Sequence, residues 1–373
     1  ADLVANHLAH HYTKVLFLGA LVASLATEEQ HACAYLPHYS GKPVTENSPD
    51  TPVDQLLGIP AEPRVFYPEA EAWKRGLRKH PDVVGVPGEY KPLILDGDRL
   101  YLYRYWDYET RLATAIQQRL SQPEVSESPY TTPVDTKPSA DFQALVKAVF
   151  EEGIQNNTLD WQAIAATTAL GHRFHVISGG PGTGKTTTVS RLVALLLYRS
   201  PDLRMVLAAP TGKAATRMKE SLSQSRTQLP MLPSALLAQF PTEALTLHRL
   251  LGYQVKTGTY RHHKDNPLPW DMVIVDEASM IDLAMMTRLL EALSPTARLV
   301  LLGDQYQLAS VEAGSVLGDI CKATTNKAFS AAQQQQLHEL GILPSLAEHK
   351  LAEYRISLAH HAIDGHVVML EES

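Results

Sequence analysis

The chain has 373 residues, of which 45% are hydrophobic and 20% charged, and carries a formal net charge of −7. That is the make-up of an ordinary globular protein with room for two or three domains and at least one sizeable core. Its two cysteines, Cys33 and Cys321, lie far apart, which excludes a disulfide framework and a cysteine metal knuckle and fits a reducing compartment. The acidic balance would by itself argue against a nucleic-acid partner. The charge is segregated, however: from Arg204 to Lys264 nine Lys/Arg face only Glu220 and Glu243, a local balance of +7.

In chain order, residues 1–120 read as a small mixed α+β domain. The chain starts at Ala1 rather than methionine, so a trimmed start is expected. His7 and His11 stand four apart, as metal ligands do on a helix, but with no third ligand they read as surface histidines. The apolar run VLFLGALVASLA (15–26) is too short to span a bilayer and lacks a basic flank, and it predicts a buried helix. HACAYLP (31–37) and PLILDGDRLYLYRYW (92–106) look strand-like, the second broken at Asp96-Gly97-Asp98 as by a hairpin turn. Residues 121–139, rich in Pro, Ser and Thr, read as a linker. From 140 the pattern changes. FHVIS (174–178), RMVLAA (204–209), MVIVD (272–276) and RLVLLG (298–303) are continuous apolar runs, each leading to a helix or loop. This predicts an α/β fold with a parallel sheet buried on both faces over 140–322. No internal repeat is evident, and 323–373 yield no second α/β unit.

Between the first of those strands and a helix stands GGPGTGKTT, fitting G-x-x-x-x-G-K-[ST] from Gly179 to Thr186. Gly179, Gly180, Pro181, Gly182, Thr183 and Gly184 would curl main-chain N–H groups round a phosphate, with Thr186 and Thr187 opening the helix behind. Lys185 would reach the β- and γ-phosphates, and the Thr186 hydroxyl would hold Mg²⁺. Asp276, ending MVIVD, would hold the same ion through water, and Glu277 would polarise the attacking water. Gln307, just past the RLVLLG strand, would touch the γ-phosphate and report hydrolysis to its loop.

Together, GGPGTGKTT, APTGKAATRM, TLHRLLG, VDEASM and LGDQYQLASVEAGSVLGDI resemble, in order, motifs I, Ia, Ib, II and III of superfamily-one DNA helicases, most closely the RecD type, the α chains of exodeoxyribonuclease V. LDGDRLYLYRYWDYETRLA resembles the N-terminal domain of the same family. The resemblance implies a RecA-like motor fold over 140–322, ATP and Mg²⁺, and 5′→3′ movement on single-stranded DNA. It further implies RecB and RecC as partners, an N-terminal domain that docks on RecC, double-strand-break repair, no membrane, and a bacterial cytoplasmic location. It makes Gln162, in LDWQAIAA, the residue that reads adenine. It assigns Pro210, Thr211, Lys213 and Arg217, then Thr246, His248 and Arg249, to contacts with single-stranded DNA. The +7 region holds both of these segments, which suits phosphate contacts rather than base reading.

Motifs IV, V and VI, which carry the arginines of a second motor domain, find no counterpart, and Arg355 lies in no recognisable motif. The chain is therefore expected to be a fragment or to have residues closed up, and to turn over nucleotide poorly by itself. Two other readings remain open: a P-loop nucleotide kinase or GTPase, against which Glu277, Gln307 and the missing N-K-x-D motif count, and a non-catalytic nucleotide-binding assembly subunit.

Overall fold

The computed structural model describes residues 13–44, 65–121, 138–150, 159–227, 229, 232–307, 314, 316–325, 327–343 and 356–370. His7, His11, Arg355 and nearly all of the 121–139 segment lie outside them. The described residues form two compact units, the first built from those up to Arg111 with Asp282–Ala284 and Gly314, the second from the others.

In the first unit, the apolar run forms helix α1 (Lys14–Glu28), buried at Leu16, Leu18, Ala20, Val22, Ala23 and Ala26. Strand β1 (Ala34–Tyr35) and helices α2 (Leu36–Tyr39) and α3 (Ala70–Leu77) follow, then β2 (Val84–Gly85), β3 (Leu93–Asp96) and β4 (Arg99–Leu102). The four strands order as β1-β4-β3-β2. Trp73 anchors this core. It is fully buried, stacks on Tyr67 with ring centroids 5.4 Å apart, and donates its indole N–H to the Val15 carbonyl at 3.1 Å. Burying a side chain of that size contributes roughly 1.5–3 kcal/mol, provided its polar atom is satisfied.

The hairpin expected at Asp96-Gly97-Asp98 is present, with Asp96 opposite Arg99 and Gly97 at φ +58°, as a primed two-residue turn requires. Two extended readings are corrected. Tyr103–Trp106 is helical, the first turn of α4 (Tyr103–Leu120). Its β-favouring aromatics are overruled by the helical pattern that follows, including the Asp107–Arg111 pair one turn apart at 2.7 Å. HACAYLP keeps only two strand residues, because Pro37 suits the first turn of α2.

The second unit runs through α5 (Ala140–Val149), α6 (Trp161–Ala169), β5 (Phe174–Ser178), α7 (Lys185–Arg199), β6 (Met205–Ala209), α8 (Gly212–Thr227), α9 (Ser234–Leu237), β7 (Ala244–Thr246) and α10 (Leu247–Leu250). It continues with β8 (Tyr253–Gln254), β9 (Thr259–Tyr260), β10 (Met272–Val275), a 3₁₀ turn (Ala278–Met280), α11 (Leu283–Ala292), β11 (Arg298–Gly303) and α12 (Val316–Lys322). Last come β12 (Ala328–Phe329), α13 (Ala331–Glu339), β13 (Ser357–Leu358) and β14 (Val367–Met369). Six strands make one sheet in the order β14-β5-β11-β10-β6-β7, and every pairing in it is parallel. All four apolar runs are in it, and β5, β6, β10 and β11 are buried at every position. The expected parallel α/β architecture is thus observed. The edge strands β7 and β14 were not legible, and β14 brings part of 323–373 into the sheet beside β5.

At the amino-terminal end of this sheet a buried arginine meets main-chain carbonyls, and buried histidines stack on one another with both ring nitrogens of His175 left without a hydrogen-bond partner among the described residues. Arg119 donates to the carbonyls of Leu290, Leu293, Ser294 and Ala297 at 2.8–3.4 Å, closing the carboxyl end of α11. His172 stacks on His366 at 3.9 Å and on His175 at 5.7 Å. Burial pushes all three imidazoles below their ordinary range, His175 to about 3 from 6.5. Arg298 adds its positive charge against His172.

An unfolded chain protonates these histidines near pH 6.5, whereas the folded one resists. Their neutral state therefore supports the fold fully above pH 6.5, and that support fades as pH falls toward the depressed folded values. The loss is about 1.4 kcal/mol per pH unit for each histidine. Urea unfolding at pH 7.5 and 5.5 should show the chain losing about 1 kcal/mol more than His175→Leu does. An identical pH dependence in the two proteins would remove this account.

Candidate functional site

The glycine-rich loop leaves β5 at its carboxyl end and closes on itself before α7. Gly182 and Gly184 take left-handed backbone, φ +84° and +80°, which costs a β-carbon-bearing residue about 1 kcal/mol or more. The Thr183 hydroxyl, itself buried, donates to the Gly180 carbonyl at 2.9 Å and braces the curl. Lys185 is the first residue of α7. Its ammonium donates to the carbonyls of Gly179 (2.6 Å) and Gly180 (2.9 Å), so the charge is held across the loop. Pro181 is exposed at the tip, while Thr186 and Thr187 lie half-buried in the first turn of α7. The positive end of that helix and the lysine together make the loop an anion receptor.

The acidic pair follows β10. Asp276 is half-buried, and burial raises its carboxyl above the usual range; the Glu277 main-chain N–H, at 2.9 Å, and the Lys185 ammonium pull it back down. A partly desolvated carboxylate within the field of a lysine suits a divalent cation shared with phosphate, and Asp276 with Thr186 supplies the oxygen ligands Mg²⁺ prefers. Among the described residues no cluster of three or more His, Cys, Asp and Glu side chains could hold a metal alone, so phosphate and water would complete the coordination. Glu277 adopts left-handed backbone, φ 53° and ψ 40°. Such a conformation is uncommon for a glutamate and clusters at functional sites; nothing in the sequence signals it.

Strand β11 lies between β5 and β10 and ties the two together. The Gly303 carbonyl accepts from Gly179 N–H at 3.1 Å. On the other side, a β-carbon at Gly303 would stand 3.1 Å from the Ser279 nitrogen, so the bare glycine lets the turn after Glu277 pass close. Asp304 is buried and accepts from Tyr306 N–H at 2.9 Å. The Ser178 hydroxyl accepts from Gln305 N–H at 3.3 Å. Gln307 is exposed, its N–H on the Asp304 carbonyl at 3.2 Å. Loop, acidic pair and Gln307 thus all emerge at the carboxyl ends of three adjacent strands, where open α/β sheets bind ligands.

Gln162, from a distant segment, joins them. Asp160 caps α6 by accepting from Gln162 and Ala163 N–H at 2.9 and 3.1 Å, and the Gln162 amide donates to the Thr183 carbonyl at 3.2 Å. Sequence reasoning missed its other partner, Arg191.

The two basic segments also come together, because β6 and β7 pair with Ala209 opposite Thr246. Pro210 and Thr211 therefore leave the sheet beside Thr246. Thr211 and Thr246 both cap helices, accepting from Ala214 N–H (3.2 Å) and Arg249 N–H (3.3 Å). Thr211, Lys213, Arg217, His248 and Arg249 are all exposed.

A model described as the RecBCD enzyme subunit RecD, N-terminal domain, matches residues 1–101, and one described as an AAA domain matches 162–313. Curated relatives include the RecBCD enzyme subunit RecD of Mycolicibacterium smegmatis, 41% identical over 75% of this chain and 46% of that protein. The same subunit of Haemophilus influenzae is 35% identical over 87% and 50%. The ATP-dependent RecD2 DNA helicase of Deinococcus radiodurans is 36% identical over 60% and 26%. Solved helicases superpose only loosely: Candida albicans Pif1 gives a TM-score of 0.27 at 19% identity, over 41% of this chain and 34% of that one. The chain spans about half the length of the RecD subunits it matches. With those relatives and with both models in sequence order, the chain belongs to the RecD family.

Proposed function

We propose that the chain carries the N-terminal domain and the first RecA-like motor domain of an ATP-driven DNA helicase subunit. That subunit moves 5′→3′ on single-stranded DNA within a RecBCD-type complex in the bacterial cytoplasm and acts in double-strand-break repair. The observation that carries the reading is the gathering of Lys185, Asp276, Glu277 and Gln307 at one edge of a single sheet. The exposed basic segments leave that same edge from β6 and β7, the strands next beyond β10. A kinase or GTPase reading gives no role to that basic edge, and an assembly subunit needs no Glu277.

In this reading Lys185 neutralises charge developing on the β- and γ-phosphates, a contribution greatest in the transition state. Asp276 and Thr186 hold Mg²⁺, which when bound shields phosphate charge. Glu277, held aside from Asp276 by its left-handed backbone, orients and polarises the attacking water. Gln307 contacts the γ-phosphate and couples its loss to movement. Lys213, Arg217 and Arg249 hold phosphates of the strand, with Pro210, Thr211, Thr246 and His248 shaping its path. The N-terminal domain docks on RecC beside RecB.

In the complete subunit, Lys185→Gln should abolish hydrolysis while circular dichroism stays unchanged; near-normal turnover in the folded variant removes the site assignment. Glu277→Gln should keep Mg²⁺-nucleotide binding and lose turnover by about 10²–10⁴-fold, whereas Asp276→Asn should weaken Mg²⁺ dependence itself. If the two substitutions behave alike, Glu277 is not the base. Binding of oligo-dT should fall steeply with salt. Replacing Lys213, Arg217 or Arg249 singly by Ala should reduce the log–log slope by about 0.7, and an unchanged slope with altered sequence preference would argue for base reading instead.

A further inference from the structure

The amide of Gln162 is held at both ends. Its nitrogen donates to the Thr183 carbonyl at 3.2 Å. Its oxygen accepts from the Arg191 guanidinium at 3.0 Å. Arg191 is in turn seated with its guanidinium carbon 5.1 Å above the Phe150 ring, and Phe150 is fully buried, so the cation rests on a fixed platform. Behind the amide, Gly184 leaves the space that a β-carbon would occupy. The main chain of Gln162 is pinned by the Asp160 cap. The cap and the bare glycine fix where the amide sits, and Thr183 and Arg191 fix which way it faces.

An unconstrained amide flips at almost no cost, exchanging an acceptor for a donor pair. Here a flip would set the amide N–H₂ against Arg191, donor on donor, and the amide oxygen against the Thr183 carbonyl, acceptor on acceptor. Each mismatch leaves a half-buried polar group unsatisfied. The lock still leaves one lone pair on the oxygen and one N–H on the nitrogen. Adenine offers a donor and an acceptor side by side at N6 and N7, the pattern that such an amide meets with two hydrogen bonds. Guanine offers two acceptors there, which it cannot meet.

We propose that Arg191 is a positioning residue for nucleotide selectivity, fixing the Gln162 amide in the one orientation that meets adenine with two hydrogen bonds. The inference rests on the reading of Gln162 as the residue that meets the base. It gives Arg191 no contact with nucleotide. It also predicts that the phosphate loop and base selection are linked, since the same amide braces the Thr183 carbonyl.

The test is the ratio of affinities for methylanthraniloyl-ATP and methylanthraniloyl-GTP with Mg²⁺, read by fluorescence on the complete subunit. Gln162→Ala should reduce the ATP preference by about tenfold, the value of one lost base-reading contact. Arg191→Met should reduce it by up to about twofold, by weakening ATP binding as the amide becomes free to turn away from the adenine-matching orientation. Arg191→Lys, which keeps a donor on a flexible stem, should restore part of the preference. A structural defect would instead weaken both nucleotides together and leave the ratio unmoved. An unchanged ratio in Arg191→Met with a reduced one in Gln162→Ala overturns the positioning role alone. An unchanged ratio in both overturns the base-reading role of Gln162 and this inference with it.

Discussion

The arrangement of this site depends on β11 lying flat between β5 and β10. The phosphate loop and the acidic turn are not neighbours in the sheet; each is a neighbour of Gly303. Its carbonyl takes the first N–H of the loop, and its missing side chain admits the backbone just past Glu277. Parallel pairing over five residues with β5 and four with β10 fixes that strand's register. A one-residue slip would turn buried side chains to the wrong face and carry both halves of the site apart. The burial of β5, β10 and β11 at every position is thus what keeps three short polar segments within reach of one another.

The same logic applies to charge. A molecule with a net charge of −7 would repel a polyanion on average, yet the pairing of β6 with β7 gathers the exposed cations of two segments on one edge. The helices that follow are capped by Thr211 and Thr246, so these hydroxyls hold the local structure from which the exposed cations project. Removing either would loosen the first turn of its helix at a cost of about 1 kcal/mol.

Much of the motor unit was legible because strands buried on both faces write themselves as continuous apolar runs, and because a phosphate cradle needs glycine at set positions. The edge strands β7 and β14, three residues each, are too short to leave such a run. Tyr103–Trp106 misled because aromatic residues favour strands only where a sheet awaits them. The left-handed Glu277 left no trace in composition, since the conformation is imposed by the turn packed against Gly303. Gln162 was found by resemblance, but its clamp was not: a contact between residue 162 and residue 191 depends on how α6 meets α7, and no local pattern encodes it.

Strand β14 has a consequence for how the protein is made. It pairs with β5 at Val176–Val367, and Leu370 N–H closes on the Ser178 carbonyl, one residue before the phosphate loop. The two strands are about 190 residues apart in the chain. At about 5–20 residues per second, a ribosome takes roughly 10–40 s to supply the second after the first. Through that interval one side of β5 waits with unpaired amides, an edge open to any passing strand. Pairings this distant also close slowly once the chain is complete. The glycine-rich loop therefore hangs from a strand whose second neighbour arrives late, and that interval is the stage at which a chaperone would have most to protect.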